Sequence, residues 1–154
     1  MPQSLPLEFD CDPARLDRDM IHHYLSQQSY WAAGLPRDIF ERSLAGSLCF
    51  GAYADGQQVA FARMITDQAT FAYLADVFVL PQWRGQGISK ALMNFVMAHP
   101  GLQNLRRMML ATADAHGLYA QYGFTALSSP ERMMEKLDQQ VYQRLSAELS
   151  AQQG

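Results

Sequence analysis

The chain reads as one α/β domain, with a mixed, mostly antiparallel twisted sheet of about 6–7 strands flanked by helices. Three observations predict this. Two alternating apolar runs, 47–54 and 57–64, meet at Asp55-Gly56, a strong signal for a two-residue hairpin. An apolar strand ending in Val77-Phe78-Val79-Leu80 runs through a glycine-rich turn into a helical pattern. Helical periodicity marks both ends, with Leu16, Met20, Ile21, Tyr24 and Leu25 on one side and Val141, Tyr142, Leu145 and Leu149 on the other. At 154 residues, 49% hydrophobic and 18% charged, the chain is long and apolar enough for a proper single core.

The elements follow in order. Leu5 to Phe9 alternates apolar and polar and predicts an edge strand. Asp12-Pro13 supplies an N-cap and a first-turn proline for a helix running to about residue 28. A short loop, Ser29-Tyr30-Trp31-Ala32-Ala33-Gly34, precedes a second helix that Pro36 opens, with Ile39, Phe40 and Leu44 on its inner face. The hairpin and a third strand over 70–80 form an antiparallel meander; Arg63 and Asp67 read as solvated surface. A helix over 87–98 presents Ile88, Ala91, Leu92, Phe95 and Val96 to the sheet, and His99-Pro100-Gly101 ends it. His99 is expected as a C-terminal cap. A strand over 105–111 follows, then a helix with Asp114 as N-cap that Gly123 ends. Residues 124–127 and 132–137 are expected as a closing pair of strands. Asp138 caps a last amphipathic helix, and 150–154 reads as a disordered tail.

Composition narrows the function classes. A net charge of −3 gives no support to a general basic surface for nucleic acid. No apolar run approaches the roughly 20 residues of a membrane helix, and no basic segment precedes an apolar one near the start, so no membrane partner or secretory signal is expected. Two cysteines, Cys11 and Cys49, make neither a disulfide framework nor a zinc spacing, and Cys49 sits in an apolar strand pattern. A cytoplasmic location is the expectation. No His/Cys/Asp/Glu cluster suggests a metal.

The chemistry concentrates in Arg84-Gly85-Gln86-Gly87-Ile88-Ser89-Lys90. Glycines permit close backbone approach, and the free N–H groups and dipole at a helix start favour an anion. The turn therefore reads as a cradle for a phosphate or pyrophosphate. Gln82 and Ile88 break the Walker pattern, and Lys90 stands where the Rossmann fingerprint needs its third glycine. The turn resembles instead the Arg/Gln-x-x-Gly-x-Gly/Ala signature of the GCN5-related N-acetyltransferases (GNAT), with Ser89 at the last small position. Leu118-Tyr119-Ala120-Gln121-Tyr122-Gly123-Phe124, preceded by Ala115, is similar to the family's second signature. The resemblance covers about residues 45–127.

The resemblance implies acetyl-CoA as co-substrate, a primary amine as acceptor, and no metal. Backbone N–H groups around Gly85, Gln86, Gly87 and Ser89 would bind the pyrophosphate, with charge from Arg84 and Lys90; Lys90 also reads as a solvated helix residue. Main-chain groups of Val77, Phe78 and Val79 would pair with the pantetheine arm like a strand. A backbone N–H near Val77 or Phe78 would stabilise the oxyanion. Tyr119 stands at the family's tyrosine that protonates the leaving thiolate; its alternative is a core aromatic. Thr112 stands where the family often carries an asparagine that contacts the cofactor or the helix start. Asp76, a carboxylate in an apolar strand, needs a partner or a task, and is the candidate general base. Tyr30 and Trp31 are either an aromatic wall for substrate or a hydrophobic hinge.

The expected reaction is direct attack in a ternary complex on acetyl-CoA by a small-molecule amine. A protein lysine or N-terminal acetyltransferase is the alternative enzyme, and an acyl-CoA-binding regulatory module without turnover the alternative of another class. Residues 1–138 are expected as the transferase domain. Residues 139–154 form an appended helix and tail that pack on it or on a second copy in a homodimer.

Overall fold

The computed structural model describes residues 6–153. Five strands form one sheet in the order β1 (Leu7–Asp10), β2 (Ser47–Ala54), β3 (Gln57–Thr66), β4 (Phe71–Val79) and β5 (Arg107–Leu110). The first four are antiparallel neighbours, and β5 joins β4 in parallel. Of the expected first strand, Leu5 lies outside the described residues. The β2–β3 turn has Asp55 at φ +51° and Gly56 at φ +77°, the two left-handed residues that a type I′ hairpin requires.

Alternation along the strands divides the core into two layers. Phe50, Ala60, Ala62, Met64, Ala72 and Leu74 face α3 (Ile88–Met97), whose Ile88, Leu92, Met93 and Val96 are buried against them. On the opposite face Cys49, Phe61 and Phe78 pack against α1 (Arg18–His23), the turns that follow it, and α2 (Arg37–Ala45). Burial pushes the Cys49 thiol up to about 11, as fits an inert core residue. α4 (His116–Ala120) brings Tyr119 onto the α3 side of the sheet.

The N-terminal helix is broken where one continuous helix was expected. Asp12 caps only a 3₁₀ turn, Pro13–Arg15, and the α-helix begins after a second cap at Asp17, whose carboxylate accepts from Met20 N–H. The buried Gln58 side chain fixes this restart by accepting from Asp17 N–H at 2.7 Å. The helix ends in a π turn, Tyr24–Gln28, closed by Ser29 N–H on Tyr24 C=O at 2.9 Å. Ser26 and Ser29 hydroxyls bond the carbonyls four residues back, which loosens the α ladder there.

The closing strands at 124–127 and 132–137 do not form, so the sheet has five strands where about 6–7 were expected. A 3₁₀ turn, Pro130–Arg132, links the two segments, and neither pairs with the sheet. The segment runs beside β5, enclosing a groove of about 670 Å³, and leaves Met134 and Leu137 exposed. Asp138 accepts from Gln140 N–H and Arg144 and leads into α5 (Val141–Gln153). The expected tail from residue 150 is helical through Gln153, and Gly154 lies outside the described residues. Tyr142 packs against the α1/α2 core layer.

Asp67 is not merely solvated. It accepts from the N–H groups of Ala69, Thr70 and Phe71 and from the Thr70 hydroxyl, closing the β3–β4 turn. These bonds, Thr70's first, hold its carboxyl well below the usual carboxylate range. A depressed folded value means a stabilising contribution that is full above 3.8 and lost as pH falls below it. Asp67→Ala should therefore lower Tm at neutral pH and flatten the loss of Tm in acid. An unchanged acid melting profile would remove this role.

Candidate active site

The site begins with a defect in β4. Pairing with β3 runs from Thr66↔Ala72 to Arg63↔Ala75, then resumes one residue out of step at Phe61↔Phe78. Asp76 and Val77 thus face a single partner, a β-bulge, with Asp76 at φ +58°. Aspartate tolerates this left-handed conformation better than most residues. The bulge turns β4 away from β5, whose pairing stops at Leu74↔Leu110. Beyond that point β4 has a free edge. Leu80 N–H bonds back to Val59 C=O, so by alternation Val77 and Val79 turn their N–H and C=O groups toward the gap.

A cavity of about 800 Å³ fills this gap. It is lined by β4 from Tyr73 to Val79, by Leu110 to Ala115, by Leu118 and Tyr119 of α4, and by Tyr24, Gln28, Tyr30 and Trp31. It reaches Arg84 and Ser89, the residues on either side of the glycine turn. Gly85 and Gly87 have φ of +79° and +77°, and a Cβ on either would meet no protein atom within 4 Å. Backbone conformation, not crowding, requires glycine there, and the space above the turn is open. Gly87 is the N-cap of α3 and provides no side-chain cap, so the amides of the first turn have no side-chain partner at the N-cap. Tyr122 ties this turn to α4, donating its hydroxyl to Lys90 C=O at 2.8 Å and pairing with Asn94 at 2.8 Å.

Of the expected site residues, the structure brings Tyr30, Trp31, Asp76, Val77, Phe78, Val79, Arg84, Ser89, Thr112 and Tyr119 to one cavity. Gly85, Gln86 and Gly87 form the turn at its end, and Lys90 is exposed on α3 beside it. Tyr119 is only 8% exposed. Burial, with Tyr30 and Asp114 close by, pushes its hydroxyl above the usual tyrosine range. Trp31 and Tyr30 make an edge-on pair at 5.1 Å, and Tyr30 is 68% exposed.

Arg63, Asp114 and His99 are placed differently from expectation. Asp76 has a partner: Arg63 donates to one carboxylate oxygen at 2.8 Å, and Trp31 Nε1 donates to the other at 2.9 Å. Arg63 is therefore part of the site's frame, where it was expected on the solvated surface. Thr112, not Asp114, serves the start of α4, accepting from Ala115 N–H at 3.0 Å. His99 caps the 3₁₀ turn that follows α3, its Nδ1 accepting from Gly101 N–H at 2.9 Å. Tyr24 went unnoticed because helical spacing marked it as core. Its π-turn position puts the hydroxyl at the cavity, where Arg84 donates to it at 2.8 Å. Among the described residues no group of three or more His, Cys, Asp or Glu is arranged to hold a metal, and no helix is long and apolar enough to cross a membrane.

The fold has known relatives. A family model, the Acetyltransferase (GNAT) domain, matches residues 45–126. A Gibberella zeae protein described as an acetyltransferase is 36% identical over 130 residues, 71% of this chain and 73% of that protein. A GNAT-family crystal structure from Xanthomonas campestris pv. campestris is 54% identical with a TM-score of 0.87, covering 90% of this chain and 99% of that one. An aminoglycoside N-acetyltransferase in complex with CoA superposes with a TM-score of 0.60 at 19% identity, over 90% and 99% of the two chains, a likeness of fold alone. The chain belongs to the GNAT acetyltransferase family.

Proposed function

We propose that the protein transfers an acetyl group from acetyl-CoA to the primary amine of a small molecule, by direct attack in a ternary complex. The observation that carries this reading is the single cavity that joins the glycine turn, the free edge of β4 and the Tyr119 hydroxyl. The CoA bound in the aminoglycoside acetyltransferase of the same fold supports the choice of donor.

The chain's own groups then have these parts. First-turn amides of α3 and those of Gly85, Gln86, Gly87 and Ser89 hold the pyrophosphate, with Arg84 and Lys90 adding positive charge. Val77 and Val79 pair with the pantetheine arm through backbone groups, Phe78 being turned to β3, and Thr112 lines its path. The N–H of Val77, which faces the gap, stabilises the oxyanion that forms as nitrogen attacks the thioester carbonyl. The carbon–nitrogen bond forms and the carbon–sulfur bond breaks. Tyr119, kept protonated by burial, gives its proton to the departing thiolate.

Asp76 holds the acceptor. Two of its roughly four lone-pair positions are taken by Arg63 and Trp31, leaving positions to hold an ammonium and to take the proton it must lose before its nitrogen attacks; the second N–H proton of the adduct leaves to water. Tyr30 and Trp31 form an apolar wall beside it. The cavity's volume lies in the usual range for small ligands. Residues 1–138 are the transferase domain in this reading, and 139–154 an appended helix.

The test is thiol release from acetyl-CoA over a panel of polyamines, amino acids, aminoglycosides, arylalkylamines and short peptides, with Asp76→Asn run beside the wild type. A hit among the small amines that Asp76→Asn weakens is the expected result. Turnover with peptides alone would favour a protein acceptor. Silence across the panel, with acetyl-CoA raising Tm, would favour a binding module.

A further inference from the structure

We infer that Tyr24 and Arg84 are positioning residues that link the donor cradle to the acceptor wall, so that an occupied cradle sets the place of Trp31. The inference rests on the reading that the glycine turn takes a pyrophosphate, and goes beyond it.

The link is continuous. Arg84 opens the glycine turn, yet its side chain turns back from it: Nε donates to Val79 C=O at 3.1 Å, and a terminal nitrogen donates to the Tyr24 hydroxyl at 2.8 Å. The Tyr24 ring lies flat on Phe78, with centroids 3.9 Å apart and planes 13° apart, and stands 6.5 Å from Trp31. Trp31 bonds Asp76, Asp76 bonds Arg63, and Arg63 bonds the Ser47 hydroxyl at 3.0 Å. The series runs from the first residue of the cradle, across the β4 edge, to the far side of the acceptor wall.

Three physical features make this arrangement a transmitter rather than a brace. Arg84 has donors left over. A guanidinium has five N–H groups in a rigid fork, two contacts are used here, and an anion at the α3 N-terminus would draw on the rest. The fork moves as a unit, so engaging an anion re-aims the bond to Tyr24. Tyr24 is 6% exposed and clamped on Phe78, so its ring has little freedom to absorb that motion alone. Tyr24 also opens the π turn that leads into the Ser29–Gly34 loop carrying Trp31, and π turns recur at functional sites because their ladder is easily re-registered. Coupling of this kind is reciprocal, so an acceptor seated against Trp31 would in turn tighten the cradle.

Fluorescence tests it without knowledge of the acceptor. The chain has two tryptophans, and Trp83→Phe leaves Trp31 as the reporter. Adenosine diphosphate carries the pyrophosphate and has no pantetheine arm to reach Trp31. The expected result is a shift of Trp31 emission on saturation with adenosine diphosphate. In Tyr24→Phe, which keeps the ring and loses only the hydroxyl, the shift falls about fivefold or more while calorimetry still shows nucleotide binding. Arg84→Lys, which keeps the charge and loses the fork, behaves likewise. A bound nucleotide with no Trp31 response, or an equal response in both variants, overturns the link. Failure of both adenosine diphosphate and acetyl-CoA to bind the Trp83→Phe protein overturns the donor reading, and the link with it.

Discussion

Replacing Gly87 with leucine should abolish acetyl-CoA binding and leave the fold intact. Both halves follow from the same residue. Gly87 sits at φ +77° as the N-cap of α3, and a Cβ there meets nothing within 4 Å. No core contact is lost, so the cost to stability is the left-handed conformation itself, about 1–2 kcal/mol. A domain of this size has roughly 5–15 kcal/mol to lose. Binding has no such margin. The side chain would stand in the open space above the turn, and any relaxation of φ would swing the first-turn amides off their common target. We expect affinity to fall well beyond about tenfold, each such factor being about 1.4 kcal/mol. Calorimetry with acetyl-CoA, beside a far-ultraviolet circular dichroism spectrum, checks it. Undiminished affinity in a folded variant would remove the cradle.

Tyr119→Phe should separate chemistry from binding. The ring is buried in the α3-side core layer, and phenylalanine preserves that packing. Only the hydroxyl is lost. A positioned proton donor contributes about 10²–10⁴-fold, so turnover should drop by about 10²-fold with acetyl-CoA affinity nearly unchanged. The pH profile adds an independent sign. Burial favours the neutral phenol, so the donor is present through neutral pH and is lost as pH rises through its elevated value, above 10.0. The wild type should therefore lose turnover at high pH through a limb that Tyr119→Phe lacks. Wild-type turnover in the variant would return Tyr119 to the role of a core aromatic.

What the sequence made legible was local. Asp55-Gly56 announced a hairpin because few residue pairs accept two positive φ values in succession. The glycine turn was legible for the same reason, since φ at Gly85 and Gly87 restricts the choice of residue. The family signatures lay at those turns and on α4, so the ends of the cavity could be placed in advance.

What stayed hidden depended on registration between distant segments. Nothing near Asp76 in the chain shows that β4 slips by one residue against β3, yet that slip opens the gap from β5 and brings Arg63 to the carboxylate. Trp31 lies 45 residues from Asp76 in the chain, and Tyr24 lies 60 from Arg84. Local sequence misled in the opposite way at 132–137, where a strand was expected and none forms. Met133, Met134 and Leu137 are apolar but do not alternate, and the segment runs outside the sheet with Met134 and Leu137 exposed.

The central claim is that the acetyl group passes straight from CoA to an amine nitrogen. Acetyl-CoA carrying a labelled acetyl group, mixed with the protein and an active amine, follows that group most directly. Label should appear on the amine as an amide, and the protein should stay unlabelled when the amine is withheld. Label that accumulates on the protein and then passes to the amine would contradict direct transfer.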